Sequence, residues 1–214
     1  MRGIDFTQLL ARVIVLITSI PVHESAHGLV AYWLGDPTAR RAGRITLNPL
    51  RHFDFIGSAV LLIGGIGWAK PVPIDARYFR KPKRDMALSA LAGPVSNIIM
   101  ATLAIIILKA ILLFFYSGGV VMDFIVELFI FMVLTNIALA IFNMLPVPPF
   151  DGSRIFLTFL PTKWYFTIMR YEKYIYLGVF LLLFLGVLSA PLNFLNSKVL
   201  ILLDKATWFL GRVT

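Results

Sequence analysis

The chain has 214 residues, 59% of them hydrophobic and only 14% charged, with a mean hydropathy of +0.85 and a net charge of +9. A soluble domain carries about 25% charged and roughly 45–50% apolar residues, so this excess of apolar side chains cannot be hidden in one soluble core and a multi-spanning membrane protein is expected. The absence of cysteine excludes disulfides, Cys-ligated zinc and thiol nucleophiles.

The first apolar segment runs from about 7 to 34 and stops at Gly35-Asp36-Pro37, a helix-ending cluster. No small-x-small cleavage site follows a short apolar core, so the segment reads as a retained span rather than a removed signal. Pro21 inside it removes a backbone donor and crowds the Ile17 carbonyl, which predicts a kink. Residues 36–54 are polar and hold Arg40, Arg41, Arg44 and Arg51. The run 55–69 is short and broken by glycines, and a second basic stretch from Lys70 to Arg84 follows it at once. If 55–69 crossed the membrane, one basic loop would lie outside, against the positive-inside tendency. A re-entrant, partly extended element over about 55–73 explains both loops.

A second span is expected over about 86–115 and a third over about 124–145, separated by Tyr116-Ser117-Gly118-Gly119, which carries no Lys or Arg. The basic segment 154–173 comes next, then a fourth span over about 175–192. The piece 199–210 is interrupted by Asp204-Lys205 and reads as an interfacial helix. Fourteen of the twenty Lys and Arg then fall on one side, with the N-terminus on the other. This asymmetry accounts for the basic charge without nucleic acid. The expectation is an all-α membrane protein with about four transmembrane helices, a re-entrant or β-like element and a C-terminal interfacial helix, all within one domain over 1–214.

Ionisable groups inside spans mark function. They are His23, Glu24, His27, Glu127, and Asp151 at the foot of the third span. His23 and His27 are one helical turn apart on one face with a carboxylate beside the first, a pattern suited to Zn²⁺ and a general base. A third ligand is needed, and His52 and Asp151 are the candidates. For His52, in a basic loop, the simpler reading is a solvated or interfacial side chain. Asp151 and the His pair share a depth near the basic side. Two His and one carboxylate also suit iron, but the adjacent Glu favours hydrolytic zinc. Asn136 and Asn143 lie on one helix face; interhelical hydrogen bonding is the simpler reading for Asn136 and Asn97, whereas Asn143 is placed to stabilise an oxyanion.

His23-Glu24-Ser25-Ala26-His27 followed by Gly28, and Asn143-Met144-Leu145-Pro146-Val147-Pro148-Pro149-Phe150-Asp151-Gly152, resemble the two signature motifs of the site-2 protease family, the intramembrane zinc metalloproteases. Ala92-Gly93-Pro94-Val95-Ser96-Asn97 and Gly67-Trp68-Ala69-Lys70-Pro71-Val72-Pro73 also resemble recurring segments of that family. The resemblance covers about residues 20–154 and implies one zinc per chain held by His23, His27 and Asp151, with Glu24 as general base. It implies that Asn143 holds the substrate carbonyl or oxyanion. It makes the strand region around 64–73, with Gly65, Gly67 and Trp68, and also Asn97, candidate substrate contacts. The implied activity is peptide hydrolysis within or next to transmembrane helices of membrane-protein substrates. The implied setting is the bilayer of the cell membrane, with the site toward the cytoplasm. No PDZ or CBS domain is inserted in the chain.

Three other readings compete. A di-iron oxidase needs a second Glu-x-x-His, and three histidines do not supply one. A metal transporter leaves Glu24 unexplained. An inactive scaffold relative is at odds with a complete His-His-Asp-Glu set.

Overall fold

The computed structural model describes residues 6–54, 57 and 70–211. The chain is an all-α membrane protein. Its principal helices are α1 (Phe6–Trp33), α3 (Pro82–Ala110) and α4 (Val120–Asn143), which pack against one another. The short α2 (Thr38–Arg41) follows α1. After α4 come α5 (Asp151–Thr158), α6 (Thr162–Arg170), α7 (Glu172–Phe184) and α8 (Ser189–Ala206). Among the described residues, three helical stretches are long and apolar enough to cross a membrane: Leu9–Trp33, Pro82–Phe115 and Val120–Asn143. The second ends in a π-helical turn, Ile111–Phe115. The assigned α1 helix runs through Pro21 without a break.

Packing between these helices relies on small residues. Ala11, Ala31, Ala90, Ala101 and Ala104 are all buried at the contacts. In a bilayer there is no hydrophobic drive between helices, so close approach over small side chains and interhelical hydrogen bonds must hold them together. The core cluster joins Ala101, Ala104 and Ile105 of α3 to Val133 and Ile137 of α4 and Leu203 of α8. Asn136 donates from Nδ2 to Ser19 Oγ at 3.0 Å, tying α4 to α1. The opposite face of α3 exposes Val95, Ile99, Leu103 and Ile107 at a spacing of four, an apolar stripe suited to lipid.

The C-terminal region corrects the expectation. The span over 175–192 is broken: α7 stops at Phe184 and α8 starts at Ser189, with 82° between them. Gly186 adopts φ +73° in the turn, and Pro191 sits in the first turn of α8, where a missing N–H has no helical partner to lose. Only together are the two halves apolar and long enough for a fourth crossing. Residues 199–206 belong to α8, whose Leu203 and Asp204 are buried against the bundle.

The basic segments gather at one end of the bundle. Arg44 donates to Lys70 O, Lys70 N donates to His52 O at 2.8 Å, and Lys83 Nζ donates to Leu160 O at 3.1 Å. At the other end, Lys109 and Asp204 form a buried ion pair at 2.7 Å. Lys109 Nζ also donates to Asp204 O and Thr207 O, so the ammonium caps the end of α8. The re-entrant element expected over 55–73 lies outside the described residues except for 57 and 70–73, and Gly65, Gly67 and Trp68 fall in that undescribed part.

Candidate metal centre

His23 and His27 project from the second half of α1, one turn apart and both buried. Asp151 opens α5, immediately after the turn Leu145–Phe150 that closes α4. Gly152 makes that turn fit, because a Cβ there would stand 2.3 Å from Met144 O. The three residues converge. Asp151 Oδ2 is 3.3 Å from His23 Nε2 and 3.2 Å from His27 Nε2, and the two Nε2 atoms are 3.0 Å apart.

The far side of each imidazole decides what this convergence means. His23 Nδ1 is 3.0 Å from Asn97 Oδ1, and His27 Nδ1 is 2.8 Å from the Ser89 carbonyl. Both partners are acceptors, so each Nδ1 carries the proton and each Nε2 presents a lone pair; the assignment follows from the hydrogen-bond network. Two imidazole lone pairs and a carboxylate oxygen then face one another. Asp151 Oδ2 is buried and has no hydrogen-bond donor. Such a cluster is electrostatically unfavourable unless a cation occupies its centre. Tetrahedral Zn²⁺ with ligands at about 2.0–2.2 Å places ligand atoms roughly 3.3 Å apart, which the observed spacings match. Among the described residues, His23, His27 and Asp151 form the cluster of metal-ligating type. The donor set therefore fits zinc.

Helix α3 frames the cluster. Ser89, Gly93 and Asn97 recur every four residues and form one stripe facing α1. Gly93 lies directly against the Nε2–Cε1 edges of the imidazoles: a Cβ on it would stand 2.3 Å from His27 Nε2 and 2.5 Å from His23 Cε1. Ser89 Oγ also donates to the His27 carbonyl at 3.0 Å, binding the two helices at the level of the ligand.

Glu24 is half-buried, and its Oε2 accepts a hydrogen bond from Val72 N at 2.9 Å. Val72 belongs to an extended strap, 70–75, whose far end is fixed by Asp75 N donating to the buried Asp36 carboxylate. Ser25 Oγ donates to Thr46 O at 2.7 Å, so successive residues of the motif anchor different loops.

Other candidates are placed differently. Asn143 uses one N–H of its amide on Leu139 O of its own helix. Asn97 is fully buried against His23, the interhelical bonding read for it in sequence but aimed at a ligand ring. His52 is not solvated: it is fully buried and bonds Thr46 O through Nε2 at 2.8 Å, a loop-bracing contact. Glu127 stands apart from the cluster. Sequence reasoning missed Ser89 and quoted Gly93 only within a family-like segment, without its place against the imidazoles; their spacing of four from Asn97 was the available signal.

A family profile described as "Peptidase family M50" matches residues 113–187, a stretch that includes Asn143 and Asp151. The chain is 39% identical over 181 residues to the Bacillus subtilis (strain 168) protein named "Putative zinc metalloprotease YwhC", covering 83% of this chain and 81% of that one. It is 29% identical over 148 residues to "Putative zinc metalloprotease Rip2" of Mycolicibacterium smegmatis, where 64% of this chain meets 52% of the relative. The identity is 32% over 141 residues to the protein of the same name from Mycobacterium tuberculosis (strain H37Rv), again with 52% of the relative covered. No solved structure matches the chain.

Proposed function

The chain belongs to peptidase family M50, the site-2 proteases, and on that premise we propose that it is a zinc endopeptidase cleaving within or next to transmembrane helices of membrane-protein substrates. One observation carries the reading: two Nε2 lone pairs and an unpartnered carboxylate oxygen converge at metal-ligand spacing, beside a carboxylate that is not part of the cluster.

His23, His27 and Asp151 hold one zinc, and Asn97 and Ser89 O fix the imidazole orientations. When bound, the metal would supply Lewis acidity, lowering the pKa of a water to about 7 and polarising a carbonyl. Glu24 takes the proton from the attacking water and returns it to the leaving amine. With Oε2 accepting from Val72 N–H, Oε1 is the oxygen left for this transfer. The second N–H of Asn143 stabilises the developing oxyanion after rotation of its amide toward the cluster. The substrate helix must unwind locally, because its peptide groups are otherwise internally hydrogen-bonded.

The protein is an integral membrane protein, and the clustering of basic loops at the metal end supports a site facing the cytoplasm. A reporter fused after Arg84 tests this and should read cytoplasmic. The activity is tested on purified protein with single-span substrates. One zinc per chain, its loss in His23→Ala, and cleavage abolished in Glu24→Gln are expected. Zinc binding without Glu24-dependent cleavage would overturn the protease reading in favour of a transporter or scaffold.

A further inference from the structure

Arg44 is a buried guanidinium without a counter-charge among the described residues. It is 7% exposed, its Nη2 donates to Lys70 O, and its Nε has no partner. Among the described residues no carboxylate forms an ion pair with it, and 55–69 contains no Asp or Glu. Leaving a charge in this condition is costly, and a compensating anion is the usual remedy.

A cavity of about 430 Å³ lies beside it. Its wall brings Arg44 together with Arg51 and Lys70, three cations from three separate segments, and no acid. Leu50, Phe53 and Pro73 supply the apolar part of the wall. Leu50, on the pocket wall, and Leu47, in the same loop between Arg44 and Arg51, are both exposed. Exposed Leu beside clustered Arg and Lys suits the interface between acyl chains and headgroups.

We propose that this pocket binds a phosphate-bearing anion, supplied by the headgroup of an anionic phospholipid. The guanidinium of Arg44 meets the phosphate from the buried side. Arg51 and Lys70, both exposed, close on it from the rim. Leu50 and Phe53 lie along the first acyl carbons. A zwitterionic headgroup is disfavoured, because its own cation would meet three like charges.

The test is native mass spectrometry of the full chain released from nanodiscs of phosphatidylcholine alone or with phosphatidylglycerol. The wild type should retain one phosphatidylglycerol and no phosphatidylcholine. Arg51→Gln with Lys70→Gln, both at exposed positions, should weaken retention by roughly tenfold or more, as loss of two charged phosphate contacts implies. Equal retention of the two lipids, or unchanged retention in the double variant, overturns the proposal. Thermal unfolding in detergent with millimolar inorganic phosphate separates the sources. Stabilisation by phosphate alone, lost in the double variant, with no lipid selectivity, keeps the anion site and rejects the lipid.

Discussion

Val72 N–H donates to Glu24 Oε2 at 2.9 Å, so the general base proposed here is held by the backbone of a distant strap. Pro71 and Pro73 flank Val72 and have no N–H, and Lys70 N is spent on His52 O. The strap from 70 to 73 therefore offers no donor to an incoming strand. Any pairing of substrate with the 57–73 region by strand addition would have to draw its donors from other residues.

Replacing the Val72 amide by an ester, through α-hydroxyvaline, deletes this donor alone. A hydrogen bond to a charged group is worth about 1.5–3 kcal/mol, so kcat should fall roughly tenfold to hundredfold with KM and zinc content unchanged. Val72→Ala keeps the N–H and should retain kcat. An ester as active as the wild type would show that Glu24 needs no such support.

Asn97 acts through His23. Asn97→Ala removes the acceptor that fixes the imidazole tautomer and should weaken zinc binding roughly 10–100-fold, the usual effect of losing a partner behind a metal ligand. Competition with a chromogenic chelator measures it directly. A metal affinity equal to that of the wild type would reduce Asn97 to a packing residue.

Gly93→Ala places a methyl group where both imidazoles lie. The rings or α3 must move, and the expected result is loss of stoichiometric zinc with helicity retained by circular dichroism. Full zinc occupancy in this variant would contradict the close contact of α3 with the ligands.

Much of this was readable beforehand because the chemistry is written in residue types that are rare inside membranes. His23, Glu24, His27 and Asp151 stand out against apolar runs, and shared depth together with the motif resemblance pointed to Asp151 as the partner of the His pair. The break at 185–188 was missed because a hydropathy window sums over it, although Gly186 and Pro191 mark it locally. The role of α3 was hidden for another reason. Gly93 works by lacking a side chain and Ser89 by its carbonyl, and neither leaves a chemical mark in the sequence.

The Lys109–Asp204 pair should behave as a buried salt bridge. Lys109→Met removes the ammonium that pairs with the Asp204 carboxylate and should cost about 3–5 kcal/mol, whereas Lys109→Met with Asp204→Leu should be near neutral. Denaturant unfolding of the wild type, both single variants and the double variant closes the cycle. Additive losses would mean that the two charges do not depend on each other.

At the end of the strap, side-chain and backbone donors of Arg77 hold the Asp75 carboxyl down to about 2. A depressed carboxylate contributes its stabilisation above the unfolded value near 4 and loses it as pH falls toward 2. The Asp75–Arg77 contact should therefore persist at pH 5 and weaken only below about 4. A carbon-13 titration of Asp75 with a midpoint near 4 would disprove the contact with Arg77.

The stripe Ser89–Gly93–Asn97 also makes the metal site a check on membrane assembly. Sliding α3 by one residue, about 1.5 Å along its axis and 100° around it, would put Ala92 or Pro94 where Gly93 stands and remove Asn97, the side-chain acceptor behind His23, while a neighbouring carbonyl took the place of Ser89 O. Misregistered bundles then have neither the room for zinc nor the acceptor that fixes the His23 tautomer. A chain that has captured its metal is, by that fact, one whose helices inserted and paired in the correct register.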